Sequence, residues 1–235
     1  MFSLIDTQLL LWLNSLVPTS HLGAKLFYFP SDNAIVRGAP VIFPLFALWF
    51  GSECWKRRSR LLVGIGAACV ATLLSVWIQS NIYVHTRPFL DSGFHLRGAE
   101  VVPSTGWDHL SSFPSDTSTL YFALATILFF ERKRTGAFAF VWSFLISGLV
   151  RCAVGWHYPS DVLGSIILGP GMVIIFRQFR SLQLWTGNAL RCMEPRIFVV
   201  HAILFIVLAD ASYLFPAGQQ FVHGLKDVAL FLIGH

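Results

Sequence analysis

Charged side chains are scarce in this sequence: 12% of its 235 residues are Asp, Glu, Lys or Arg, against 55% apolar. That balance excludes an ordinary soluble domain. Several apolar runs reach bilayer-crossing length, so the chain reads as an all-α, polytopic membrane bundle. The positive surplus of +5 does not mark a nucleic-acid binder, because the basic residues fall in short loops between apolar runs. Cysteine is sparse too. Cys54, Cys69, Cys152 and Cys192 have neither disulfide-framework nor metal-ligand spacing. Cys69 and Cys152 lie in or beside apolar runs and read as core filler. The first residues lack a basic start and a small-residue cleavage site, so no cleavable signal peptide is expected. There is no long internal repeat and no low-complexity segment.

Residues 2–16 carry an apolar stripe of Phe2, Ile5, Leu9, Trp12, Leu13 and Leu16, with Asp6, Gln8 and Asn14 off it. This predicts an amphipathic helix lying in the membrane interface. Pro18 ends it, a second short helix covers 20–29, and Pro30-Ser31-Asp32 starts a new element. About six spans follow: 33–51 (broken by Pro40 and Pro44), 61–84, 115–130, 136–154, 160–176 and 197–215. The organisation expected is an interfacial N-terminus over 1–32, a membrane core over 33–180 and a C-terminal span and tail over 181–235. The segment 85–113 reads as a polar, irregular loop, and 217–235 as interfacial or a weak span. Basic residues cluster at 56–60 and 132–134, and Arg177, Arg180, Arg191 and Arg196 flank a short linker. These clusters should face the cytoplasm. Loop 85–113 and residues 151–161 then share the outer face.

The stretch Gly148–Asp161 is the most informative. It lies between apolar segments yet carries Arg151, His157 and Asp161, and ionisable groups at a membrane edge are expensive. Arg151 can fork onto two phosphate oxygens. His157 can act as a nucleophile if a carboxylate holds its other ring nitrogen. Pro159 suits the first position of a helix, which puts Asp161 in its first turn. The same residues also suit an interfacial Arg–Asp pair with a capping histidine. Two more segments reach this face: Ser80 to Pro88, with Arg87, and Ser112 to Thr117. Ser115 sits near a helix start, where free amides can receive phosphate. Two arginines, a helix N-terminus and a histidine with a carboxylate make a phosphoryl-transfer set that demands no metal or other cofactor.

Arg151-x5-His157-x3-Asp161, with Arg87-Pro88 and Pro114-Ser115 upstream, resembles the type 2 phosphatidic acid phosphatase (PAP2) superfamily over roughly residues 33–180. The resemblance implies a phosphohistidine at His157, oriented by Asp161. It implies phosphate held by Arg87, Arg151, Asp116 and the hydroxyl and backbone of Ser115. Ser112-Phe-Pro-Ser-Asp looks like the bacterial branch that acts on undecaprenyl diphosphate.

Two positions depart from the family pattern. Its first-motif lysine falls on Ser80, and its general-acid histidine on Thr117. Threonine does not supply a tuned acid near neutral pH. His85, His95 and His109 are candidate replacements, and Gln79 and Asn81 could offer neutral hydrogen bonds. A diphosphate leaving group needs the proton less than an alkoxide. The expectation is therefore an integral protein of a bacterial inner membrane with an extracytoplasmic site, acting as a phosphatase or phosphotransferase on a polyprenyl diphosphate or similar phosphorylated lipid. A catalytically impaired lipid-phosphate binder and a transferase to a sugar or lipid acceptor remain open alternatives.

Overall fold

A helix with no polar face is most stable at the centre of a bundle. In the computed structural model, which describes residues 4–82, 84–102 and 111–212, that helix is α5 (Asp116–Glu131). Every residue from Thr117 to Leu128 is buried. Around it pack α3 (Ala34–Phe50), α4 (Trp55–Asn81), α6 (Lys133–Ser143) and α8 (Pro159–Gln178). Three of the hydroxyls buried on α5, those of Ser118, Thr119 and Thr126, donate to carbonyls. Thr119 Oγ1 donates to Ser115 O at 2.8 Å and Ser118 Oγ to Ser147 O at 2.7 Å. Small residues let the helices approach. A Cβ on Gly169 of α8 would stand 2.4 Å from the Thr119 carbonyl oxygen of α5.

Among the described residues, four helical stretches are long and apolar enough to cross a membrane: His21–Phe50, Trp55–Asn81, Lys133–Ala153 and Pro159–Gln178. They become five if the pair Arg180–Cys192 and Glu194–Ala209, bent by 69°, is one span. Six were expected. The difference lies chiefly in α5, whose 16 residues extend only ~24 Å. Residues 181–195 are not a linker but mostly helix α9 (Arg180–Cys192), which packs on α4 and leads to α10 (Ile197–Ser212). The expected tail at 217–235 lies outside the described residues.

Two helix starts also differ from expectation. Pro30-Ser31-Asp32 closes α2 (His21–Asp32) rather than opening a helix. The cap of α3 is Asn33, whose Oδ1 accepts from Ile35 N and Val36 N at 3.0 and 3.1 Å, an ordinary use of asparagine. α3 itself runs unbroken through Pro40 and Pro44.

The N-terminal helix α1 (Leu4–Ser15) keeps most of its apolar stripe outward, but part of its polar side packs on protein. Leu4, Ile5, Leu9, Trp12 and Leu16 point outward, whereas Asp6 and Asn14 are buried. Asp6 accepts from Ser160 N and Ser160 Oγ at 3.0 and 2.7 Å. Asn14 donates to Ala153 O at 2.7 Å and to Arg97 O at 2.9 Å, and accepts from Arg97 N at 3.0 Å. In a bilayer, an apolar stripe gains by facing lipid and polar groups gain by facing protein, the opposite of the rule in water.

The basic clusters beside the start of α4 and the ends of α5 and α8 gather at one end of the bundle. Arg60 makes a forked pair with Glu131 at 2.8 and 3.0 Å, and Arg177 lies over Phe130 at 4.2 Å. These are the start of α4 and the ends of α5 and α8. The end of α4 and the starts of α5 and α8 therefore meet at the opposite end.

Close approach of α8 to α5 predicts that Gly169→Ala lowers stability by about 1–3 kcal/mol. Gly171→Ala, whose added Cβ meets nothing within 4 Å, should be near neutral. Thermal unfolding of both variants in detergent checks this; equal melting curves would contradict it.

Candidate active site

Residues 151–158 are buried throughout, which an ordinary solvated loop would not be. They are reached through a change of helical register. α6 widens into a π-helical stretch, Phe144–Leu149, before the short α7 (Val150–Ala153). Such widened turns occur often at functional sites. The chain then reverses at Gly155, with φ of +85°. A side chain there would be strained and would meet Leu96 at 2.5 Å. The Gly155 carbonyl accepts from Phe89 N at 2.9 Å, tying the Arg87 segment to the Arg151–His157 segment.

Pro159 opens α8, and Asp161 lies in its first turn. The Asp161 carboxylate is fully buried, and its Oδ2 accepts from Tyr158 N at 2.8 Å. His157 Nδ1 is 3.0 Å from the Ser112 carbonyl and 3.5 Å from Asp161 Oδ2. Both neighbours only accept, so Nδ1 carries a proton. In the neutral ring Nε2 then holds the lone pair. Nε2 is buried and has no hydrogen-bond partner among the described residues. Burial, above all, and the nearby Arg87 and Arg151 push the His157 pKa below the ordinary histidine value, while Asp161 pulls it up. The ring therefore stays neutral at pH 7.

Arg87 and Arg151 share one platform. Their guanidinium carbons lie 4.8 and 4.9 Å from the Trp156 ring centroid. Arg87 Nη2 also reaches Gln79 Oε1 at 3.5 Å, and Gln79 Nε2 donates to Pro114 O at 2.6 Å. Gln79 thus braces an arginine against the Ser112–Ser115 turn. Arg151 Nε is buried without a hydrogen-bond partner among the described residues. A π-face steadies a cation yet leaves its in-plane N–H groups for an anion.

Ser115 caps α5, its Oγ accepting from Ser118 N at 3.4 Å. The expectation that its backbone would hold phosphate is corrected: Ser115 N donates to Asp161 O at 3.3 Å. Thr117 N donates to Asp116 Oδ1 at 2.8 Å, so this helix start is largely capped from within. Asp116 is within electrostatic reach of Arg151, His157 and Arg87, the position of a counter-charge rather than of a phosphate ligand.

Ser80 and Asn81 do not join the site. Both are exposed and bond back to carbonyls of their own helix, Val76 and Trp77, at 2.8 Å each. His95 is exposed, and His109 lies outside the described residues. His85 is at the site, but as a neighbour of Asp161: its Nε2 is 3.2 Å from Asp161 Oδ1 and its Nδ1 2.7 Å from Ser112 Oγ. That geometry does not suit the free acid that was expected of it. Thr117 is fully buried beside Asp116.

The family model for the PAP2 superfamily matches residues 61–185, which carry all of these groups. The chain belongs to the PAP2 superfamily. Among curated PAP2 relatives, it is 29% identical over 162 residues to undecaprenyl-diphosphatase BcrC of Bacillus subtilis (strain 168), covering 67% of this chain and 75% of that protein. It is 39% identical over 114 residues to the bacitracin transport permease protein BcrC of Bacillus licheniformis, 48% of this chain and 52% of that one. It is also 30% identical over 164 residues to lipid A 1-phosphatase of Rhizobium johnstonii (strain DSM 114642 / LMG 32736 / 3841), 65% and 64% of the two chains. The chain thus spans about half of the second relative and just under two thirds of the third. No solved structure matches it significantly.

Sequence reasoning about this PAP2 site missed Trp156 and the two roles of Ser112. Trp156 had a signal, since it directly precedes His157. Ser112 had none, because its carbonyl is what meets His157. Each cation–π contact is worth ~0.5–2 kcal/mol. Trp156→Leu is therefore expected to weaken orthovanadate binding by about tenfold or more, as read by calorimetric titration of the purified protein. Unchanged affinity would remove the indole from the anion site.

Proposed function

We propose that this protein is a membrane lipid-phosphate phosphatase or phosphotransferase that works through a phosphohistidine at His157. Its preferred substrate is a polyprenyl diphosphate, or a similar lipid diphosphate, at the extracytoplasmic face. The single observation that carries the proposal is the state of His157: Nδ1 faces two acceptors, Nε2 is left with its lone pair, and two guanidiniums stand nearby on Trp156.

The chemistry follows from that arrangement. Nε2 attacks the terminal phosphorus, and an N–P bond forms as the bridging P–O bond breaks. The electron pair goes to the departing lipid monophosphate. Arg87 and Arg151 balance charge on the phosphoryl oxygens, while Asp161 and the Ser112 carbonyl hold the proton at Nδ1. Water, or an acceptor hydroxyl in a transfer, then forms an O–P bond as the N–P bond breaks, and the pair returns to Nε2.

The substrate preference rests on Thr117. An alkoxide leaving a monoester needs a proton that threonine does not supply, and loss of a general acid costs about 10²–10⁴-fold. A lipid monophosphate leaves without it. The name of the B. subtilis relative, an undecaprenyl-diphosphatase, agrees with this preference. A second reading, a PAP2-type lipid-phosphate binder that no longer turns over, is favoured by the outward-facing Ser80 together with Thr117. An outer-face site is supported by the basic residues at the other end of the bundle.

Phosphate release from matched lipid mono- and diphosphates separates the readings. Wild type should cleave the diphosphate and act poorly on the monoester. Thr117→His should raise monoester turnover more, by up to about 10²-fold, and His157→Ala should abolish both. No release from any diphosphate, with lipid-phosphate binding unaltered by His157→Ala, would leave the binder.

The pH dependence has a definite sign. The depressed His157 pKa keeps the nucleophile neutral to lower pH than a free histidine. The acid limb of kcat/KM on a diphosphate should therefore lie below ~6.5, the ordinary histidine value. An acid limb above that value would contradict the assignment.

A further inference from the structure

His85 is a buried titratable group of this site for which the chemistry above has no use. Its contacts close a ring of four residues. His85 Nε2 lies 3.2 Å from Asp161 Oδ1, an ion-pair contact without hydrogen-bond alignment, and Asp161 Oδ2 lies 3.5 Å from His157 Nδ1. His157 Nδ1 meets the Ser112 carbonyl at 3.0 Å, and Ser112 Oγ meets His85 Nδ1 at 2.7 Å. The Ser112 amide also donates to the His85 carbonyl at 3.1 Å. The Tyr158 ring stands edge-on to the His85 imidazole, with centroids 4.7 Å apart.

We propose that His85 is a positioning residue for the nucleophile: it holds the Asp161 oxygen that His157 does not use, and through that shared carboxylate it sets how tightly His157 holds a proton. The inference rests on the reading of His157 as nucleophile. Asp161 is buried without water's screening, so its charge divides between the partners it has. A donor on Oδ1 fixes the carboxylate's rotation, and with it the direction of Oδ2. It also draws charge from Oδ2, which makes the His157 imidazolium less favourable. Without that donor, Asp161 attracts the His157 proton more strongly, and the lone pair on Nε2 is lost at a higher pH. The other charged groups facing His157 are Arg87, Arg151 on α7 and Asp116 on α5. Arg151 and Asp116 stand on other elements, whereas Arg87 shares the segment of His85 and is anchored apart from it by Trp156 and Gln79.

Two substitutions of similar bulk separate positioning from packing. His85→Gln sets an amide nitrogen near the place of Nε2, able to donate to Asp161. His85→Asn sets its amide near the place of Nδ1, within reach of Ser112 but short of Asp161. The full-length protein in detergent is labelled with ¹³C at histidine Cε1, and the His157 signal is identified by its loss in His157→Gln. We expect His85→Asn to raise the His157 titration midpoint by about one pH unit, equivalent to tenfold in proton affinity. His85→Gln should restore most of the wild-type value. On a lipid diphosphate, the acid limb of kcat/KM should move in parallel, with KM little changed. Equal midpoints in wild type and both variants would overturn the proposal, as would Gln behaving like Asn. If wild type releases phosphate from no lipid, the phosphatase reading fails, yet the titration midpoints still decide the role of His85.

Discussion

The end of the bundle opposite the basic clusters is arranged around one buried carboxylate. Asp161 has no exposed surface, and a desolvated charge is tolerable only when its oxygens are met. Oδ2 takes the Tyr158 amide, and the two imidazoles approach from separate segments. The demand is structural before it is chemical. To reach Asp161, the chain from α4 must bring His85 inward, and the turn before α8 must carry His157. The turn before α5 must place Ser112 between the two rings. The cations are placed differently: Arg87 and Arg151 are gathered on one neutral indole, Trp156.

That division of labour bears on the missing acid. A PAP2 site with a histidine where Thr117 stands would have another titratable group among two guanidiniums and His157. Here Asp116 supplies negative charge instead, at the start of α5, and caps the Thr117 amide itself. The local field favours holding an anion and forming a bond to phosphorus. It offers little to a departing alkoxide.

Much of this was legible in the sequence because it depends on local spacing. Pro159 and Asp161 read as a helix start, and a helix start they are. The convergence of Arg87, Ser115, Arg151, His157 and Asp161 follows from apolar run lengths and alternating direction. What was not legible depends on which face a residue shows to lipid. Asp6 and Asn14 were read only as lying off the apolar stripe of an interfacial helix, and their burial against protein has no local signature. Ser80 occupies the family's lysine position, but one residue of helical rotation separates it from buried Gln79. α5 was taken for a span by its apolar content, although the expected 115–130 was already as short as the helix observed. Contacts made by backbone, such as the Ser112 carbonyl, carry no side-chain signature at all.

The clamp between α1 and the catalytic turn has a consequence for biosynthesis. Asp6 and Ser160 are 154 residues apart, and Asn14 and Ala153 are 139 apart. The first helix to leave the ribosome thus waits for partners made when most of the chain is already inserted. Until then its carboxylate is best left at the water boundary, since an unpaired Asp at the membrane centre costs ~2.5–3.5 kcal/mol on insertion scales. Contacts of such long separation form late. A nascent or truncated chain can therefore hold its spans in the bilayer while the turn that bears His157 still lacks its lock.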